Sequence, residues 1–524
     1  MNPKKSKLLK VLPLSLVIGA ICSAHASGLQ TTYDFKQLPT AWRFNFELVK
    51  IPNTGEKKMG LLGVNYLVDA NPWIYFGLGG YGAVSGDRGG LFVLGAEAGI
   101  HHKIIGNLSG EAGYYVGGGG GRSSLVGGGL MVRPHVGLNY DFKYFLLGAE
   151  LSNVRFPNGV INSTQAALVL TIPDTITFSS PENGGKIINC LNVLSDKVAN
   201  FMQFSENYIA LLEQTYSQTH SSRDASGYVD TSSMSTIGVE LGHYLNPHYF
   251  GFVKASGAFS GQHNGYMDIL GGLGYRLKFT SFLKNLALKA KLAVGAGGGG
   301  NTDTGGGILL EPNIGAEYQI TPKISVEVDG GYLFAPNGKF RATTLTLRLN
   351  YRLFWGSLES ESQSASVSNA LPWEFTEWRV RVVNQTYFRP QRTININPNI
   401  NLVGVKFDNF ITPNFYITGQ GNSAYSGKNA GGYASGLVGL GLRSKRFWGE
   451  HFDVNAEMLV GAGGGGSLDV AGGVLLHPVV GLTYYFNHYL GLQAEVGRIF
   501  GPRGKLNATT LDCGLVFDFA TLTR

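Results

Sequence analysis

Charged residues recur at matched places in three parts of the chain. Glu111, Arg133 and Glu150 make one set; Lys289, Lys291, Glu311 and Asp329 a second; Glu457, His477 and Glu495 a third. All of them fall on the polar side of stretches that alternate polar and apolar residues. Such sets suit a gate or ion path, or a paired polar network that fills a core. A charge shut inside a narrow core must find partners, because desolvation costs several kcal/mol per unpaired ion. A buried, mutually paired network is therefore the first expectation. His477 stands apart. Acids at 457 and 495 on the neighbouring stretches would favour its protonated form and make it a pH-sensitive latch.

Other chemistry is hard to find. "VGAGGGG" occurs at 294–300 and again at 460–466, with a near copy, "VGGGGGR", at 116–122. No "GK[ST]" follows these runs, and they close a hairpin instead of opening a helix, so they do not read as phosphate loops. Cys190 and Cys513 lie far apart with no metal spacing and read as unpaired thiols. No outward-facing Ser, His and acid trio of the kind a lipid-modifying enzyme needs is legible. The expectation is a non-enzyme with no catalytic residues, no cofactor and no metal ligands.

The charged sets are positioned by a repeat. After each glycine run comes a strand with a proline inside it: "GGGLMVRPHVGLNY" (127–140), "GGGILLEPNIGAEY" (305–318) and "AGGVLLHPVVGLTY" (471–484). "FPNG", "APNG" and "GPRG" follow at 156, 335 and 501. "AVSG", "AFSG" and "AYSG" precede at 83, 258 and 424. The units run over 42–172, 207–355 and 378–524. Each divides into about eight strands; in the third they fall at 378–387, 400–410, 414–425, 433–442, 451–462, 473–484, 489–499 and 509–519. In 345–353, Leu345, Leu347, Leu349, Tyr351 and Leu353 share one face, while Thr346, Arg348, Asn350 and Arg352 share the other.

A soluble sandwich would turn the apolar face inward, and a membrane barrel turns it to lipid. The strand length favours the barrel, since 9–11 tilted residues cross the hydrocarbon layer. Glycine is abundant, at 76 of 524 residues, and charged residues are few, at 15%. Lys4, Lys5, Lys7 and Lys10, an apolar stretch from Val11 to Ile21, and "AHA" at 24–26 read as a signal peptide over 1–26. Removing its four positive charges takes the net charge from +7 to about +3, so charge does not argue for nucleic acid.

The last strand carries the most specific motif. Asp512, Gly514, Phe517 and Phe519 resemble the C-terminal β-signal by which bacterial outer-membrane barrels are recognised for insertion, although five residues follow Phe519. The resemblance implies export to the outer membrane. It also implies the barrel assembly machinery, outer-membrane lipid and lipopolysaccharide as partners. Each unit is similar to small eight-stranded barrels of the OmpA and opacity-protein type, which implies a membrane scaffold or surface-interaction role. Tyr140, Tyr318, Tyr484, Tyr485 and Trp355 would suit interfacial girdles. With both termini in the periplasm, the glycine-rich hairpins between strands 5 and 6 would lie outside the cell. There glycine would serve tight curvature and positive φ, and would need no room inside the barrel.

The fold expected is an all-β transmembrane antiparallel barrel in three repeats. Three tandem eight-stranded barrels are favoured over one 24-stranded barrel because the joins are long. The first, 173–206, holds Ile187, Leu191, Leu194, Val198 and Phe201 at helical spacing and reads as a linker with an amphipathic helix. The second, 356–377, is a Ser-rich linker. Three functional readings follow: a non-catalytic scaffold, a porin-like channel through one large barrel, and, last, an enzyme acting on lipid A.

Overall fold

The computed structural model describes residues 35–52, 55–121, 123–188, 202–279, 284–358, 373–394 and 398–523. The signal segment 1–26, Cys190 and most of the expected amphipathic helix lie outside these residues, as does most of the Ser-rich join.

The fold is all-β and antiparallel. The first eight strands are β1 (Phe35–Val49), β2 (Met59–Asp69), β3 (Ile74–Ser85), β4 (Phe92–Ile105), β5 (Leu108–Gly120), β6 (Met131–Asp141), β7 (Leu146–Arg155) and β8 (Asn162–Ser179). A single 3-10 turn and a two-residue strand, β9 (Ile187–Ile188), follow. The second eight are β10 (Met202–Gln218), β11 (Ser233–Tyr244), β12 (Tyr249–Ser260), β13 (Met267–Lys278), β14 (Leu286–Gly298), β15 (Ile308–Gln319), β16 (Ile324–Phe334) and β17 (Arg341–Leu358). The third eight are β18 (Trp373–Phe388), β19 (Ile400–Thr412), β20 (Phe415–Ser426), β21 (Ala434–Arg443), β22 (Phe452–Gly464), β23 (Val474–Tyr485), β24 (Leu490–Phe500) and β25 (Asn507–Thr523). The first and last strand of each set run several residues past the range the alternation suggests. Ile187, expected on a helix, instead pairs with Glu374 at the start of β18.

Each strand pairs with its sequence neighbours, and β8 returns to pair with β1 along Phe35–Glu47, so the first eight close into a barrel. The same first-to-last pairing recurs between β10 and β17 and between β18 and β25. Strand pairing across sets, apart from β9, is limited to single positions, Trp355 with Thr523 and Ala520 with Ser179.

Alternation explains the faces. In β22, Asp453, Asn455, Glu457 and Leu459 are buried, while Val454, Met458 and Val460 are exposed. Leu345, Leu347 and Leu349 are 60%, 52% and 51% exposed, so the apolar face points out. Tyr140, Tyr318 and Tyr484 sit exposed at strand ends, as a girdle requires. Tyr485 and Trp355 do not. Tyr485 faces inward and donates to Asp453 and Asp518, and Trp355 is buried against Trp378.

The glycine runs carry the positive φ expected of them, at Gly119, Gly120, Gly298 to Gly300, Gly465 and Gly466. Together with the glycine clusters that follow, they also serve close approach between the sets, a role the repeat pattern does not reveal. A Cβ on Gly307 would overlap the carbonyl of Ala83; one on Gly473, that of Ala258; one on Gly129, that of Ala424. These are aligned positions meeting aligned positions, each glycine at a φ of +97 to +99°. The second set therefore leans on the first, the third on the second, and the first on the third. A head-to-tail contact repeated three times closes a ring. Backbone hydrogen bonds tie it: Gly89 N–H donates to Gly305 O at 2.8 Å, and Gly431 N–H to Gly127 O at 3.0 Å. Toward the other end of the strands an apolar cluster joins Tyr66, Leu78 and Phe178 of the first set, Trp355 of the second, and Val380, Phe517 and Phe519 of the third.

Candidate functional site

The interior of each eight-strand set has two layers. Toward the glycine-run end the inward side chains are apolar. Met131, Val154 and Ile161 fill the first; Leu309, Leu333 and Phe340, at the aligned positions, the second; and Leu475, Ile499 and Leu506 the third. All are essentially without solvent contact. The PNG-type turns and the strands flanking the glycine hairpins deliver these residues.

Beyond this apolar layer the inward positions are charged and paired. In the first set, Arg133 donates to Glu47 and Glu150, both at 2.7 Å, and Arg43 donates to Glu97 at 2.7 Å and to Glu111. In the second, Lys291 lies 2.8 Å from Glu240 and 2.5 Å from Glu327, and Lys289 lies 2.7 Å from Glu327 and 2.9 Å from Glu317. Arg348 reaches Glu240 at 3.0 Å and also Asp329, while Lys254 holds Glu311 at 2.7 Å. In the third, Arg381 lies between Asp408 at 2.7 Å, Glu457 at 2.6 Å and Glu495 at 2.8 Å. Lys406 joins Glu495, and Asp512 at 3.1 Å. Ions this deeply buried stay charged only when their partners are this close.

All ten interior residues named from sequence are buried, but the partners differ from those expected. Among them, Arg133 bonds Glu150, and Glu150 also shares a side-chain hydrogen bond with Glu111. Glu111 goes to Arg43, Glu311 to Lys254 and Asp329 to Arg348. The latch at His477 is overturned. Its Nε2 meets the Thr510 hydroxyl at 3.0 Å, and both neighbouring acids are taken by Arg381 and Lys406. With no carboxylate on it and no solvent contact, the ring has nothing to hold a charge. His477→Asn is therefore expected to melt with the same pH profile as the parent between about pH 5 and 8, read by heat-modifiability on gels.

Sequence reasoning placed Arg348 on the polar face without a partner, and missed Arg43, Glu47, Glu97, Glu240, Lys254, Glu317, Glu327, Arg381, Lys406, Asp408 and Arg379, which lies 2.6 Å from Asp408. The signal was present in "WRFNFEL" and "WRVRVV", where charges alternate with apolar residues. A closed ring gathers ions from all eight strands, not only strands 5 to 7. At the C-terminus, Asp512 points inward to Lys406 and Gln385, and Gly514 sits on the same inward side, while Phe517 and Phe519 point outward into the apolar cluster between sets.

A closed antiparallel barrel with an apolar outer band and a charged interior defines an outer-membrane β-barrel protein. No protein-family model matches the chain, and no curated protein matches it. Solved structures similar to it include OpdQ of Pseudomonas aeruginosa, 9% identical over 92% of this chain and 97% of that one, with a TM-score of 0.20. The outer membrane protein OpdK of the same organism is 9% identical over 93% and 99%, at 0.23. OprB of Pseudomonas putida is 11% identical over 61% and 94%, at 0.22. The narrower resemblance to OmpA and opacity proteins finds no support in these comparisons.

Proposed function

We propose that the chain is a non-catalytic outer-membrane scaffold or surface-interaction protein built as three tandem eight-stranded barrels. The observation that carries this reading is the double seal in each interior: an apolar layer above a salt-bridged one. The first-to-last pairing in every set supports three narrow barrels over one wide ring. The repeats are read as 42–172, 207–355 and 378–524, exported by a signal peptide over 1–26. Lipid and lipopolysaccharide contact the outer band. The barrel assembly machinery reads Asp512, Gly514, Phe517 and Phe519. The glycine-rich hairpins face the cell exterior.

A second reading is a porin-like channel. One observation favours it. Buried polar atoms in the interiors, among them Asp329 Oδ2, Asp453 Oδ1 and both amide atoms of Gln420, have no protein partner. Buried polar groups of this kind are satisfied by water, and a hydrated interior can pass small ions. Planar-bilayer recording separates the two. Silence, or steps near the noise, is expected for sealed barrels; large stable steps would replace the scaffold with the channel.

A further inference from the structure

The geometry points to a divalent-cation site inside the first barrel, made by Glu111, His135 and Glu150. One ligand atom from each lies within 4.8 Å of the other two, the one such group among the described residues. All three residues are more than nine-tenths buried. β5, β6 and β7 deliver them from adjacent positions of the ladder.

Their remaining bonds leave atoms free for an ion. Arg43 takes Glu111 Oε2 and Arg133 takes Glu150 Oε2. Glu111 Oε1, Glu150 Oε1 and His135 Nδ1 receive no bond from any other group, and the two carboxyl groups lie within hydrogen-bond reach of each other, where an ion can replace a shared proton. His135 Nε2 lies 4.0 Å from Glu150 Oε1, and also 3.3 Å from the Tyr75 hydroxyl, 3.4 Å from Glu97 and 3.5 Å from the Arg43 guanidinium. Fully buried orphans are costly, at about 1–3 kcal/mol each and more when charged.

Charge points the same way. Among the described residues, Glu47, Glu97, Glu111 and Glu150 face only Arg43 and Arg133 in this interior, and His135 is neutral when it ligates. With Glu111 and Glu150 both ionised, two carboxylates are in excess, which one divalent ion cancels. The aligned position in the second repeat makes the comparison. Where the first has Glu111 the second has Lys289, an ammonium built into the chain, and the third has the neutral Asn455. His135 aligns with Asn313 and Val479, so only the first repeat carries the full donor set. Two carboxylate oxygens and one imidazole nitrogen suit Zn²⁺ or Mn²⁺. Ca²⁺ and Mg²⁺ prefer all-oxygen cages.

The test uses the whole chain, folded in detergent with ZnCl₂ or MnCl₂, desalted, and assayed by elemental mass spectrometry. About one ion per chain is expected, with a rise in the temperature of heat-modification. Glu111→Gln and His135→Asn should each weaken retention about tenfold or more, while His477→Asn in the third barrel leaves it unchanged. Glu111→Lys copies the second repeat; it should bind no metal and melt independently of it. A parent chain that folds yet retains no metal would overturn the site, leaving a shared proton or water between the carboxylates. So would equal retention by Glu111→Gln and His135→Asn. Neither result bears on conductance, so the site and the scaffold reading fail separately.

Discussion

A chain carrying Gly257→Cys and Ala462→Cys, with Cys190→Ser and Cys513→Ser, closes a disulfide without a crosslinker. A Cβ at 257 would lie 3.7 Å from the Cβ of Ala462, on the next repeat. That falls within the roughly 3.5–4.5 Å that a disulfide needs. The bridge loops a long segment, so the denatured chain runs faster on a non-reducing gel and returns to its normal position with reductant. Gly257→Cys with Val454→Cys, whose side chain is exposed farther down the same strand, gives no such band. One wide ring would hold these strands apart across its lumen. Failure of the first pair to bridge in a folded chain therefore removes the glycine seam and the three-barrel reading with it.

The seam also predicts where size is forbidden. Gly473 sits at a φ of +98° with the Ala258 carbonyl where its Cβ would be. Gly473→Val should cost about 1–3 kcal/mol in backbone strain and about 1–3 kcal/mol in overpacking, and should lower the yield of the 257–462 bridge. Strand pairing inside each repeat does not pass through Gly473's missing side chain, so the barrels themselves stay heat-modifiable on gels.

The strands were legible because period two survives wherever one face meets lipid and the other meets ions. Seven of the eight starts and seven of the eight ends in the third repeat fall within two residues of the alternation, as at Phe452–Gly464 and Leu490–Phe500. The first and last strands ran longer than expected because their ends pack on other repeats, where apolar residues such as Phe178 and Trp355 are buried on the outward side. The interior ions were legible as a class but not as pairs. Alternation fixes which face a residue takes; the shear of a closed ring fixes whom it meets, and that is not local. The glycine runs were legible as positive-φ positions, and their part in the contact between repeats was not, for the same reason. Their partners, near Ala83, Ala258 and Ala424, are as distant in sequence as the repeats themselves. The apolar layer was overlooked although Met131, Leu309 and Leu475 stand two residues before the charged positions 133, 311 and 477. Medium-sized apolar residues on a polar face look like noise until three copies are aligned.

Arg381→Met is expected to destabilise the third barrel by about 3–5 kcal/mol, the cost of removing one partner from a buried ionic cluster. The guanidinium is without solvent contact and bonds Asp408, Glu457 and Glu495 at once. Methionine fits the volume but leaves Glu457 and Glu495 sharing Lys406, which already serves Asp512, while Asp408 keeps only Arg379. Adding Glu457→Gln and Glu495→Gln to Arg381→Met should recover much of the loss, because neutral amides need no counter-ion. Each repeat has its own closed pairing, so the damage should stay local. Hydrogen exchange should rise across 373–523 and remain low across 35–179. Urea midpoints in detergent check the magnitude. A midpoint for Arg381→Met equal to the parent's would mean that water already solvates these carboxylates. The third interior would then be wet enough to conduct, and the channel would become the better account of the protein.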